Sequence, residues 1–207
     1  MSKTPAQRIK KHGSRAVVPG GTPTPADNRA AIAPQERPQS NGKMIVIAAV
    51  GASLFMFWYL HLLALNQMTE LAAGHAMPDS MVLGFDPGAV EQLRAAMDTA
   101  ARGQLNWIHK TAGFIFPLLF GLAWVLLIGL NTARSWIRWG LWALPLLFVV
   151  VRLSGNVAID GLFGTAAPDA GAVAWASFLV VAGWVLFVLC LLAAVYVLWP
   201  RKRRATD

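Results

Sequence analysis

Apolar residues in this sequence gather into four long runs, near residues 44–65, 108–130, 139–159 and 172–199. Each run holds about 20 residues or more, which as a helix crosses a hydrocarbon layer about 30 Å thick. The pattern therefore predicts an all-α protein: an integral membrane four-helix bundle, running up-down-up-down. Pro117 and Pro145 fall inside the second and third runs and predict kinks, because proline removes a ladder hydrogen bond. Pro200 stops the fourth.

The segments between the runs are polar. Residues 1–43 are rich in Pro, Gly, Ala and basic residues, with no helical or strand period, and read as a disordered basic tail. Residues 201–207 read as a second basic tail. The loop at 67–106 is expected to carry one short amphipathic helix, from Asp86-Pro87 as N-cap and first residue to a stop at Gly103. Within it Val90, Leu93, Met97 and Ala101 recur at helical spacing. The first run is not read as a signal peptide. Its polar leader exceeds 40 residues and its core exceeds the usual 7–15.

Composition agrees with this picture. The 207 residues are 56% hydrophobic and 14% charged, with a mean hydropathy of +0.51. Soluble domains sit near 25% charged. The net charge of +8 is carried mainly by segments flanking the apolar runs. Lys3, Arg8, Lys10, Lys11 and Arg15 lie in the first tail, Arg134 and Arg138 in the 131–138 link, and Arg201 to Arg204 at the end. The 67–106 loop and the 160–171 link are acidic. The positive-inside rule then places both termini in the cytoplasm of a cell with this chain in its plasma membrane. Trp136, Trp139 and Trp199 fall at the expected inner interface, and Trp58, Tyr59 and Trp107 at the outer one. This placement favours membrane lipids as neighbours and argues against nucleic acid. Cys190 reads as a packing residue.

The polar residues inside the runs are the candidate chemistry. Arg152 lies deep in the third run, with Asn156 and Asp160 at i+4 and i+8 on the same helix face. An intramembrane Arg is costly and usually faces the bundle interior. His61, near the end of the first run, and His109 and Lys110, at the start of the second, fall at similar height. Two readings follow. In one, Arg152, Asn156, His61, His109, Lys110 and Asp160 bind an anionic lipid or small molecule. In the other, Arg152 pairs with a loop carboxylate such as Glu70 or Asp86 and the cluster is a structural lock.

No hydrolase motif or phosphate loop is present, and the reading leans against an enzyme; no catalytic residue is assigned. A haem held by His61 and His109, or copper at His75, Met77 and Met81, is weighed and set aside, so no cofactor is expected. Small residues suggest close helix approach at Ala48, Gly51 and Ala52, at Gly113 and Gly121, and at Ala182 and Gly183.

From Leu60 to Leu126 a run leads into a loop containing GFDP, then a helix ending AARGQLNW, then a run opening HKTAGFIFP. This segment, about a third of the chain, resembles small four-helix bacterial membrane proteins without an assigned activity that share such a loop. The resemblance implies a fold and no function. Gly113 stands where those proteins often carry an acid. The functional expectation is an accessory or assembly subunit of a larger membrane complex, with the anion binder as the alternative and a membrane enzyme third.

Overall fold

Only helices and closed barrels satisfy every backbone polar group without water, and the apolar runs here fold as helices. The structure, a computed structural model, describes residues 41–165 and 167–199. Residues 1–40 of the first expected tail and the whole of the second lie outside those residues, whereas Gly42 and Lys43, expected to be disordered, are already helical. The first apolar run forms α1 (Gly42–Phe57), a π-helical stretch (Trp58–Ala64) and α2 (Leu65–Leu71). After a non-helical segment with one 3₁₀ turn (Pro78–Ser80) come α3 (Pro87–Ala96), α4 (Thr99–Lys110) and α5 (Ala112–Asn131). Two long helices follow, α6 (Ser135–Gly164) and α7 (Ala170–Leu198). The protein is all-α and a membrane protein, with four candidate spans among the described residues: Gly42–Leu71, Thr99–Asn131, Ser135–Gly164 and Ala170–Leu198.

Several boundaries differ from the sequence reading. The first span runs on to Leu71. The helix expected from Pro87 to Gly103 is two helices. Met97 is extended, and Asp98 caps a new helix by accepting the Ala101 N–H at 2.7 Å. The apolar stripe is nonetheless right, since Val90, Leu93, Met97 and Ala101 are all buried. Both proline-bearing helices continue through Pro117 and Pro145.

Helix α5 packs against both α1 and α6, and α6 against α7. The main core is aromatic. Phe120 stacks on Trp124 with ring centroids 4.0 Å apart, and Phe148 and Phe187 close around it. Two indole N–H groups tie helices together through backbone carbonyls, Trp124 to Cys190 at 2.7 Å and Trp142 to Val125 at 2.9 Å. A smaller cluster of Val90, Ile159, Leu162, Val173, Ala176 and Val180 sits where α3, the C-terminal half of α6 and the N-terminal half of α7 meet. There Arg94 donates to the carbonyls of Leu162 and Thr165, capping the C-terminal end of α6 with a cation. The open carbonyls of that helix end attract positive charge.

Candidate functional site

Helical spacing puts Arg152, Asn156 and Asp160 on one face of α6, turned into the bundle. Arg152 and Asn156 are each only 6% exposed. From Gly164, the loop end of α6, Asp160 lies about 6 Å down the axis and Arg152 about 18 Å. His109 enters from the last turn of α4 and is also buried.

The residue that organises these groups comes from the loop. Met77, Pro78 and Asp79 are buried, between exposed Ala76 and Ser80. Asp79 is only 3% exposed. Its Oδ1 accepts from an Arg152 guanidinium N–H at 3.4 Å, and its Oδ2 lies 3.0 Å from His109 Nε2. Its backbone carbonyl accepts the Trp184 indole N–H at 3.1 Å. Trp184 sits near the middle of α7, about 21 Å from Ala170 along the axis. Three helices therefore hold one loop residue inside the bundle. Non-helical backbone at such depth is tolerated only when protein surrounds it, as it does here.

His109 bridges two carboxylates. Its Nδ1 lies 2.6 Å from Asp160 Oδ1, while Asn106 donates to Asp160 Oδ2 at 2.7 Å. A carboxylate only accepts, so both ring nitrogens serve as donors and the imidazole is cationic in this arrangement. Burial alone would push the Asp79 carboxyl up. The charge and hydrogen bond of His109, then the Arg152 guanidinium, outweigh it and hold Asp79 well below the usual carboxylate range. Asn156 donates to the Gly113 carbonyl at 2.9 Å.

Two glycines make room for this network. A Cβ on Gly183 would stand 2.7 Å from Arg152 Cδ, and one on Gly113 would stand 2.9 Å from Asn156 Nδ2. Gly113 is thus the contact surface for Asn156. Gly121 takes Val149 in the same way, whereas Ala48, Gly51 and Ala52 are exposed.

The six candidate residues separate into three groups. Arg152, Asn156, His109 and Asp160 are joined in one network. His61 stands on the other side of Arg152, across a cavity with about 10 Å³ of room for the centre of a water. Phe57, Phe116, Phe148, Gly183, Trp184 and Phe187 complete its wall. The His61 ring stacks on Phe57 at 4.6 Å, and its buried Nδ1 makes no well-formed hydrogen bond, although the Phe57 carbonyl one turn back interacts with it. Lys110 is exposed and stands apart. The expected carboxylate partners are corrected: Glu70 is exposed, and Asp86 caps α3 through the Ala89 N–H at 2.8 Å. Asp79 takes the role instead. Of the weighed haem pair, His109 has Asp160 at Nδ1 and Asp79 at Nε2. Of the weighed copper ligands, Met77 is packed in the core.

A second, wider pocket of about 390 Å³ opens beside Asp160. It is lined by Thr99, Arg102, Gly103, Leu105, Asn106, Phe163 and Gly164 as well. Asp79 and Trp184 were missed as site residues. The signal for Asp79 was a Pro-Asp pair between two loop glycines, Gly74 and Gly84, both with positive φ.

No protein-family model matches the chain, and neither a curated protein nor a solved structure gives a significant match.

Proposed function

We propose that this protein is a non-catalytic accessory or assembly subunit of a larger membrane complex. It lies in the plasma membrane with both termini in the cytoplasm, so the 72–86 loop enters the bundle from the outer side. One observation carries the reading: the first span packs against α5 but is the least buried of the candidate spans. Only 17% of its apolar window is buried, against 50% for the second span. Along α1 the exposed face includes Ala48, Gly51, Ala52 and Phe55, and nothing lies within 4 Å of where a Gly51 Cβ would be. Without a hydrophobic drive between helices in lipid, small residues that let backbones approach closely are what partner helices use. The buried charges support the same reading, since they answer one another and hold the loop in place.

Mild-detergent extraction followed by native-mass determination tests the proposal. The expected result is a particle heavier than one chain that carries a second membrane protein. Replacing Gly51 with Leu is expected to release that partner while the bundle keeps its melting temperature. A monomer with no co-purifying chain refutes the proposal.

A second reading, a binder of an anionic small molecule, is favoured by the cationic pair of Arg152 and His109 around Asp79.

A further inference from the structure

The contacts around Asp79 have the form of ligand recognition. Each carboxylate oxygen receives one charged donor, Oδ1 from Arg152 on α6 and Oδ2 from His109 on α4. The His109 bond, at 3.0 Å, is the closer of the two and the Arg152 contact, at 3.4 Å, is longer; both need only the carboxylate group itself. The third donor, the Trp184 indole on α7, goes to the Asp79 backbone. The socket is therefore built from rigid span helices, whereas its occupant sits on a segment whose only helical element is a three-residue 3₁₀ turn. That segment is bounded by residues in the left-handed region, Ala73 (φ 54°) and Gly74 (φ 88°) on one side and Gly84 (φ 88°) on the other. Positive φ is natural for glycine and strained for alanine. The loop is thus joined to the bundle through two backbone bends, one at each side of the buried tip.

We infer that the Arg152–His109 socket is a carboxylate-binding site in its own right, and that Asp79 is its tethered occupant, which a free small monocarboxylate can replace. The neighbouring cavity has room for about one water-sized group, so a replacement carboxylate must be small, and formate and acetate are the fitting class. The other ionisable groups facing the socket are Asp160, which balances His109, and His61 across the cavity. Removing Asp79 leaves two cationic donors answered only by Asp160, and a free carboxylate restores the lost charge. The inference stands apart from the accessory-subunit reading, because a subunit can carry this site or lack it.

The test is chemical rescue of the full chain in detergent. Asp79→Ala empties the socket, and its melting temperature is expected to fall. Sodium formate is expected to restore it saturably, where equal sodium chloride does not. Asp79→Asn fills the socket with a neutral group of the same shape, so it is expected to show no formate response. Adding Arg152→Gln to Asp79→Ala is expected to abolish the rescue. If Asp79→Ala folds only when formate is present during purification, that also supports the site. In the wild type, formate is expected to raise amide hydrogen exchange across residues 74–84 severalfold over chloride. Equal responses to formate and chloride, an unrescued Asp79→Ala protein, or loop exchange indifferent to formate would each overturn the inference.

Discussion

Removing the Asp79 charge should destabilise this protein far more than removing its arginine partner. At 3.4 Å from Arg152 and an effective dielectric of about 20, Coulomb attraction between the pair is about 5 kcal/mol. Much of that offsets the cost of burying both ions. What remains measurable is the penalty for leaving a charge alone. In Asp79→Asn, Arg152 stays 6% exposed with no carboxylate bonded to it, and His109 keeps only Asp160. Breaking a buried pair in this way costs about 3–5 kcal/mol. In Arg152→Met, Asp79 keeps His109 at 3.0 Å, and a flexible apolar side chain fills the vacated volume. That change should cost about 1–2 kcal/mol, within the range of ordinary core substitutions. The double variant should cost less than the sum, with a coupling of about 1–3 kcal/mol. Unfolding free energies of the four proteins in mixed micelles would measure the cycle. Equal single costs, or additive ones, would refute the reasoning that Asp79 answers two cations while Arg152 answers one.

Three further predictions follow from single contacts. Gly183→Ala should cost about 1–3 kcal/mol by overpacking, because its Cβ meets Arg152 Cδ at 2.7 Å; combining it with Arg152→Met, in the same unfolding assay, should recover part of the loss. Asp98→Ala should lower stability by about 1 kcal/mol through loss of the α4 cap, and amide exchange at the start of α4 should rise. The folded-state pKa of Asp79 is depressed, so its contribution is complete above the unfolded value of about 4 and is lost as pH falls below that value. Melting temperature should therefore drop more steeply below pH 4 for wild type than for Asp79→Asn, and parallel curves would contradict the assignment.

The spans were legible because an apolar run of about 20 residues has few alternatives to a bilayer-crossing helix. The stripe of Arg152, Asn156 and Asp160 was legible because helical spacing fixes a shared face. The break at Met97 and Asp98 was hidden for a related reason. Both sides of it bury Val90, Leu93, Met97 and Ala101, so the stripe reads as continuous while the backbone is not. The π-helical stretch from Trp58 to Ala64 contains neither proline nor glycine, and nothing in its composition separates it from an α-helix. Asp79 escaped for a different reason. A carboxylate in a polar loop reads as solvated, and only tertiary structure reveals that the loop turns back between three helices. The carboxylate that answers Arg152 thus comes from outside the spans.

The account rests on the insertion of residues 77–79 into the bundle. Single cysteines at residues 76 to 80, in a Cys190→Ala background, labelled with a membrane-impermeant maleimide in intact membranes, test it most directly. The structure requires rapid labelling at Ala76→Cys and Ser80→Cys and protection at Met77→Cys and Pro78→Cys, matching the burial of the native residues. Uniformly rapid labelling across all five positions would show that the loop lies in water, and the Asp79 clamp would not exist.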